Sequence, residues 1–324
     1  MIRSLTFLAL LAPLPAAALE LGLPMACTPG TDCWVVHYVD HDPGPGTADS
    51  FCGPMTYDSH DGTDFAVRDG AAMREGMAVL AAAEGVVKAV RDGVRDVTVE
   101  QGGREAVQGI DCGNGVVLQH PQGWETQYCH LRQDSVQVRP GDKVMAGQTL
   151  GLVGLSGMTS FPHLHLSVRK DGTTLDPFRA TEVAEACTVE GHSLWSAEAA
   201  GRLAYQPVAL PVLGIAEGPV ESEAVWDGRA GAATLTSASP ALVVFMGGYG
   251  LRKDDRIRLT VTAPDGSRPI DSQSMQERDQ ARSMRFAGRK RPPEGWVAGI
   301  WTARVEVVRA GRSYILDRRF EVLP

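Results

Sequence analysis

The sequence is poor in several features that would assign it quickly to a class of protein. No apolar run approaches the roughly 20 residues that a membrane-spanning helix needs, so we expect no transmembrane helix in the mature chain. Positive charge is in the minority, with 31 Lys and Arg against 39 Asp and Glu, and the net charge of -8 argues against a nucleic-acid partner. No heptad pattern of apolar residues is visible, which argues against a long coiled coil.

Six cysteines are present, but none of them forms a C-x-x-C pair, the spacing typical of structural zinc clusters. An even number of cysteines in an oxidising compartment predicts up to three disulfides and no free thiol. Because all six precede residue 190, we expect the cross-links to lie in the N-terminal half, and the sequence leaves their pairing open. The six are Cys27, Cys33, Cys52, Cys112, Cys129 and Cys187.

The first residues have the pattern of a targeting segment. Arg3 supplies a positive start, residues 5–14 form a short apolar run, and residues 16–18 offer three alanines as a cleavage site. We therefore expect residues 1–18 to be a signal peptide and the mature protein to be exported, either periplasmic or secreted. Two alternatives stay open: an N-terminal anchor that is kept, and lipidation at Cys27.

Charge and composition divide the mature chain near residue 205. From there onward 17 Lys and Arg stand against 14 Asp and Glu, although the whole chain is acidic. A basic second half favours an anionic polymer as a ligand, but charged side chains on solvated strand faces are the preferred explanation. We predict a signal peptide at 1–18, an N-terminal extension at 19–49, a first domain at 50–204, a linker at 205–219 and a second domain at 220–324.

The chain is predicted to be mostly β. Gly and Pro number 36 and 20 and are scattered along the sequence, which argues against a helix-rich architecture. Residues 116–119 and 126–129 flank a turn sequence and predict a hairpin. Further strands are predicted at 78–90, 163–169, 241–245, 256–262, 301–308 and 314–322.

In the second half the alternating runs are short, regular and separated by turn signals, a pattern typical of an antiparallel sandwich. Trp296 and Trp301 lie near glycines, where large rings can fill such a core. We therefore expect residues 220–324 to fold separately as an immunoglobulin-like β-sandwich that serves as an accessory or binding module.

Histidines are concentrated in the first half, where five of the eight lie between His60 and His165. His163 and His165 alternate along a predicted strand, so both side chains point to the same face of a sheet. Asp64 follows His60 by four residues, across a glycine that permits a tight turn. Together with a histidine from another strand, this pair supplies three N and O ligands, the pattern of a catalytic zinc site with a position open for water. The alternative is that these are separate polar surface residues.

The full motif set resembles the zinc metallopeptidases of the lysostaphin/LytM class, the M23 family. The resemblance rests on His60-Asp61-Gly62-Thr63-Asp64-Phe65, on Gln127-Tyr128-Cys129-His130, and on Gly154-Leu155-Ser156-Gly157 leading through Ser160 and Pro162 to His163-Leu164-His165. It covers roughly residues 50–180 and implies a LytM-like antiparallel β-sheet domain at 50–204. It also implies Zn2+ as the cofactor, with His60, Asp64 and His165 as zinc ligands and His130 and His163 as unligated catalytic histidines.

The function implied by the resemblance is endopeptidase cleavage of amide bonds in peptidoglycan cross-links or stem peptides. One alternative is a non-catalytic LytM-like regulator that binds and activates cell-wall amidases. Such relatives typically lack zinc ligands and often carry coiled coils, whereas all five key residues are present here and no heptad run is visible. A peptidase acting on proteins is a third possibility, because the metal chemistry is the same for any amide.

Several other motifs are given structural interpretations. Ser156 sits in a sequence similar to a nucleophile elbow, but the last glycine of that motif is replaced by Met158, so we interpret Ser156 as a turn residue. Residues 37–46 form a Pro- and Gly-containing loop that could occlude the groove, although a structural extension is preferred. His120 and His192 are interpreted as surface residues.

Overall fold

A computed structural model describes residues 19–182, 187, 191–231 and 234–324. The predicted signal peptide at 1–18 lies outside the described residues. Strands dominate and helices are short, which confirms the prediction of a mostly β chain. Among the described residues, none of the helices has the length and apolar character needed to cross a membrane. The α-helices are α1 Gly70–Glu75, α2 Val99–Gly102, α3 Ala197–Arg202 and α4 Ser222–Trp226, with 3-10 turns at Arg104–Val107 and Pro121–Gly123.

The described residues of the first half contain ten strands. They are β1 Cys33–His37, β2 Thr63–Val67, β3 Ala78–Leu80, β4 Gly85–Arg91, β5 Asn114–Gln119, β6 Trp124–Leu131, β7 Lys143–Val144, β8 Thr149–Leu152, β9 His163–Lys170 and β10 Thr173–Leu175. Eight of them form an antiparallel sheet in the order β1-β2-β9-β6-β5-β4-β7, with β10 also paired to β9, while β3 pairs with β8. The predicted hairpin is confirmed as β5 and β6.

Alternation along the central strands separates an apolar face of this sheet from a polar one. Phe65 and Val67 of β2 and Leu164 and Leu166 of β9 belong to the main apolar core of the first half. The residues between them therefore point to the opposite face, because successive side chains of a strand alternate. The same strands thus supply both a packed core on one side and buried polar groups, including His165, on the other.

In the second half, the part of the chain that the structure describes forms eight strands in two sheets. They are β11 Ala209–Ala216, β12 Leu235–Thr236, β13 Ala241–Leu251, β14 Arg256–Thr262, β15 Ile270–Met275, β16 Gln280–Lys290, β17 Gly299–Arg309 and β18 Arg312–Leu323. The sheets have the orders β11-β13-β16 and β12-β18-β17-β14-β15, and only the short β12–β18 pair is parallel. A single apolar cluster draws on both sheets and contains Trp296 and Trp301. This agrees with a two-sheet sandwich, while its immunoglobulin-like classification stays a prediction.

The segment predicted as a linker, 205–219, contains strand β11, all eight residues of which are buried. Pro211 lies where the register between β11 and β13 shifts, and a bulge tolerates a residue without an N–H donor. Gly214 lies against the ring of Phe245, where a Cβ atom would come within 2.1 Å of the ring. Proline and glycine here serve strand packing, and residues 209–216 of the predicted linker form a buried strand.

A third apolar cluster joins the two halves of the chain, and we call it the interface cluster. It contains Trp34 and Val36 of β1, Ala66 of β2, and residues of β11 and β13 such as Val212 and Tyr249. The first-half members alternate with residues of the main core, so they lie on the polar face of the large sheet. The second half therefore packs on the sheet face that carries the buried histidines.

All six cysteines are paired, in agreement with the predicted absence of free thiols. The disulfides are Cys27–Cys33, Cys52–Cys187 and Cys112–Cys129. The second closes the longest loop, with a sequence separation of 135 residues, and connects the N-terminal part of the first half to its end. The third joins the chain just before β5 to Cys129 of β6, one residue before His130.

Candidate metal and catalytic site

A row of buried side chains crosses three neighbouring strands on the polar face of the large sheet. Asp64 of β2 is the cross-strand partner of His165 of β9 on one side and of His37 of β1 on the other. His163 precedes His165 by two residues and shares its face. All four residues are at least nine-tenths buried, so their polar atoms need hydrogen-bond partners within the protein.

His60 joins this row from the turn that precedes β2. Gly62 makes the turn possible, because a Cβ atom there would lie 2.5 Å from Nε2 of His165 and 2.8 Å from the carbonyl oxygen of Leu166. The glycine between His60 and Asp64 is therefore required by close approach of the chain to β9. The turn delivers the imidazole of His60 to the edge of the Asp64 and His165 side chains.

The three residues predicted as metal ligands converge on one point. Nε2 of His60 lies 3.2 Å from Oδ1 of Asp64 and 3.1 Å from Nδ1 of His165, and the third edge, from Nδ1 of His165 to Oδ1 of Asp64, is 2.9 Å. These three atoms form a nearly equilateral triangle. Each residue directs one potential ligand atom to the same space.

The triangle fits a zinc ion. Ligand atoms at zinc-bond distances around a tetrahedral ion lie about 3.3–3.5 Å apart. The observed edges are shorter by a few tenths of an ångström, a difference that small side-chain movements accommodate. Two imidazole nitrogens and a carboxylate oxygen also match the donor set of catalytic zinc sites, which leave one position for water or substrate.

Outer hydrogen bonds fix the orientation of each ligand group. His60 Nδ1 donates to the carbonyl oxygen of Tyr38 at 2.7 Å, which leaves Nε2 with a lone pair facing the triangle. Nε2 of His165 contacts Oγ of Ser167 at 3.0 Å and Oδ1 of Asp61 at 3.3 Å. Such partners hold the imidazole tautomer that a metal requires.

His37 is a further member of this site that was not predicted from the sequence. Its Nδ1 lies 2.9 Å from Oδ2 of Asp64, the carboxylate oxygen that faces away from the triangle. The contact depends on the pairing of β1 with β2, and β1 was not predicted as a strand. His41, which lies in the segment 37–46 considered as a loop that could occlude the groove, contacts Oδ2 of Asp176 through Nε2 at 2.9 Å.

We predict that His37→Leu lowers zinc affinity about 10- to 100-fold, the usual cost of removing an outer partner of a metal ligand. His37→Asn is the matched control, because its side-chain amide places a donor near the position of Nδ1, and this variant should retain most of the affinity. Competition with a chromophoric zinc chelator measures both. Equal affinities for the leucine variant and the wild type would contradict the role of His37.

The two remaining predicted residues are His130 and His163, which were predicted as unligated catalytic histidines. In both, the ring is held by a hydrogen bond from Nδ1 to a backbone carbonyl oxygen. His130 Nδ1 donates to the carbonyl oxygen of Ser156 at 2.8 Å, and His163 Nδ1 donates to that of Phe161 at 2.9 Å. Their rings are neighbours, with centroids 4.6 Å apart, and Nε2 of His163 lies 3.4 Å from Oδ1 of Asp64. Each Nε2 therefore carries a lone pair in the neutral ring, as a general base requires.

The backbone holds His130 in an unusual conformation. Its φ of 62° lies in the left-handed region, which non-glycine residues rarely adopt and which is concentrated at functional sites. The N–H of His130 donates to the carbonyl oxygen of Cys112 at 2.8 Å, and Cys112 is linked by its disulfide to Cys129. The neighbouring cross-link and this hydrogen bond keep the strained residue in place.

Electrostatics divide the histidines of the site into neutral and charged groups. Burial, together with repulsion from His163 and His165, holds the pKa of His130 well below its usual range, so this ring stays neutral at neutral pH. Burial also lowers the pKa of His165, but hydrogen bonds and charges from Asp61 and Asp64 outweigh this effect and raise the pKa to about 9. Burial opposes ionisation of Asp64, yet the surrounding histidines outweigh it and hold the pKa of this carboxyl well below its usual range.

Metal binding should therefore release a proton. With its pKa raised to about 9, the His165 ring is protonated at pH 7, and on the predicted ligand assignment it must lose that proton to bind the metal. We expect release of about one proton per zinc ion bound at pH 7, falling towards zero as the pH rises above 9. Calorimetric titration with zinc in buffers of different ionisation enthalpy measures this number, and no release at pH 7 would contradict the prediction.

The contacts and burial of Ser156, His120 and His192 test the structural interpretations that the sequence suggested for them. The Oγ of Ser156 donates to the carbonyl oxygen of Leu131 at 2.7 Å and accepts from the N–H of Asn114, so this hydroxyl is committed to the scaffold. His120 was predicted to lie at the surface but is buried. Both of its ring nitrogens have partners there: Nδ1 donates to the carbonyl oxygen of Glu84, and Nε2 contacts Oγ1 of Thr126. His192 is exposed, as predicted.

A second grouping of possible ligand atoms consists of Cys27, Asp32 and Cys33. The two cysteines are bonded to each other, so neither offers a thiolate to a metal ion. Among the described residues, the His60, Asp64 and His165 triangle is therefore the metal site that the chemistry supports.

Comparisons with known proteins agree with the resemblance found in the sequence. Residues 58–177 match the model of Peptidase family M23. The peptidoglycan DD-endopeptidase ShyA of Vibrio cholerae serotype O1 is 32% identical over 121 residues, which are 37% of this chain and 23% of that protein. The DD-carboxypeptidase/endopeptidase Mpg of Neisseria meningitidis serogroup B is 34% identical over 91 residues, 28% of this chain and 19% of that protein.

Among solved structures, the catalytic domain of EnpA, a prophage-encoded M23 protein from Enterococcus faecalis, is 24% identical to this chain. The similarity covers 49% of this chain and 94% of that structure, at a TM-score of 0.31. The alignments with the two curated relatives span less than a quarter of the length of either protein.

Proposed function

We propose that this protein, in which residues 58–177 match the model of Peptidase family M23, is a zinc-dependent endopeptidase that hydrolyses amide bonds in peptidoglycan cross-links or stem peptides. The observation that carries the proposal is the convergence of His60, Asp64 and His165 on one point beside two further histidines. The names of two relatives, both endopeptidases, support peptide hydrolysis, and the name of one of them, a peptidoglycan DD-endopeptidase, supports peptidoglycan peptides as the substrate class.

The five residues divide into ligands and proton carriers. His60, Asp64 and His165 would hold the ion, and a zinc ion in such a site supplies Lewis acidity toward the scissile carbonyl and the attacking water. His130 and His163 present Nε2 lone pairs, since each Nδ1–H is held by a carbonyl oxygen. Together they would take the proton of the attacking water and return it to the leaving amine, and the ring that carries the proton would hydrogen-bond the developing oxyanion.

The preferred location is an exported one, periplasmic or secreted. Three disulfides in the first half support it, because disulfides persist mainly in oxidising compartments. Peptidoglycan lies in such a compartment, so the proposed substrate and the proposed location agree.

The test is digestion of purified peptidoglycan by the zinc-loaded chain, followed by mass spectrometry of the released fragments. We expect new amino and carboxyl ends at peptide bonds, with conversion of cross-linked fragments to monomers, and no such ends with His163→Ala. Cleavage that appears only when a wall amidase is added would support the regulator instead. Fragments with broken glycan bonds and intact peptides would contradict the proposal.

A further inference from the structure

The second half of the chain reaches the segment that leads into His163. Arg282 of β16 extends across the interface cluster, and its Nη1 donates to the carbonyl oxygen of Ser160 at 2.9 Å. The same guanidinium lies over the ring of Phe161, with 5.9 Å between its central carbon and the ring centroid, and over that of Trp226 at 5.3 Å. Arg282 thus contacts two consecutive residues that lie three and two positions before His163.

Phe161 transmits this contact to the imidazole of His163. The two rings are stacked, with centroids 4.5 Å apart and an angle of 26° between their planes. The carbonyl oxygen of Phe161 also accepts the hydrogen bond from Nδ1 of His163. The position of Phe161 therefore determines both the plane of the imidazole and the nitrogen that carries its proton.

The second half encloses Phe161 with further side chains. Tyr249 of β13, the cross-strand partner of Arg282, lies 5.3 Å from Phe161 between ring centroids. Trp226 packs against Tyr249 and against the guanidinium. From the first half, Glu100 accepts a hydrogen bond from the hydroxyl of Ser160 at 2.6 Å and is also close enough to Arg282 to interact with its charge. The segment is thus held from both sides.

We propose that Arg282 is a positioning residue for His163, acting through Ser160 and Phe161, so that the second half of the chain sets the turnover of the site in the first. This inference rests on the proposed function for its effect on catalysis. An arginine suits the task because its planar guanidinium donates to a carbonyl oxygen at its edge while its faces cover aromatic rings. A lysine would keep the charge without this geometry.

The experiment compares Arg282→Ala and Arg282→Lys with Arg289→Ala, an exposed position on the same strand. Misplacement of a catalytic group by about 1 Å can cost on the order of 10²-fold in rate. We expect Arg282→Ala to lower kcat about tenfold or more, with KM within about twofold of the wild type and the zinc content unchanged. Arg282→Lys should recover part of the loss, and Arg289→Ala should behave as the wild type.

A second readout does not depend on activity. Imidazole nitrogen NMR should show that the His163 signals move in Arg282→Ala, whereas those of His60 and the distant His120 stay in place. Loss of zinc in Arg282→Ala, a change in KM alone, or unchanged His163 signals in both Arg282 variants would overturn the inference. If the wild type itself leaves peptidoglycan intact, the proposed function fails, and the His163 signals still decide whether Arg282 positions the ring.

Discussion

Replacing His130 or His163 by alanine is expected to leave one zinc ion per chain and to lower kcat/KM on peptidoglycan peptides about 10²-fold or more. Neither residue contributes an atom to the ligand triangle, whereas both Nε2 atoms are available for proton transfer. Their Nδ1 atoms are held by the carbonyl oxygens of Ser156 and Phe161, so the rings cannot rotate to become ligands without breaking those bonds. The loss should therefore appear in activity and not in metal content.

Metal analysis and steady-state kinetics on the same protein batch test this prediction, with saturating zinc during purification. His192→Ala provides the matched control, because this histidine is exposed and should have no effect on either quantity. Activity of a His130 or His163 variant close to that of the wild type would remove the residue from the proposed mechanism. Loss of zinc from either variant would show that the division into ligands and proton carriers is incorrect.

The second large effect is expected for His60→Ala, which should reduce zinc affinity by more than about 10²-fold, beyond the usual cost of losing an outer partner. On the proposed assignment His60 supplies one of three ligand atoms, and its replacement leaves only Asp64 and His165, too few to hold zinc firmly. The variant should therefore be purified with almost no zinc and show no hydrolysis. Unchanged zinc content in His60→Ala would refute the ligand assignment.

The same variant separates metal binding from folding. Cys52–Cys187 and the main apolar core do not involve His60, so the secondary structure should be retained, as circular dichroism can measure. Thermal unfolding with and without added zinc gives the complementary control. The wild type should be stabilised by zinc, whereas His60→Ala should unfold at the same temperature in both conditions.

The main features of the site could be predicted from the sequence because they are local. The spacing of His60 and Asp64 across Gly62, and of His163 and His165 along a strand, constrains each pair within a few residues. Alternation then indicates which side chains share a face. The hairpin of β5 and β6 was predictable for the same reason, since its turn residues are contiguous.

Contacts between distant segments were not predictable in this way. His37 meets Asp64 only through the register of β1 and β2, and Arg282 meets Phe161 only when the two halves pack together. His120 was interpreted as a surface residue, but a carbonyl oxygen and a hydroxyl from other segments satisfy its ring in a buried position. Strand β11 was not predicted because Pro211 and Gly214 are typical of turns and linkers. Their contribution to the strand depends on its pairing and packing with β13.

The central pairing of β2 with β9 has a consequence for the order in which the molecule forms. Asp64 and His165 are 101 residues apart in sequence, so their strands meet only after a long loop has closed, a step with a large entropic barrier. A partly folded chain holds the ligands far apart and has no zinc site. Zinc that binds only the closed sheet would add about 2.7 kcal/mol to its stability at a free concentration about 100 times Kd. On the proposed assignment, an exported chain therefore cannot hydrolyse anything while it is still extended, and acquires activity and extra stability in the same folding event.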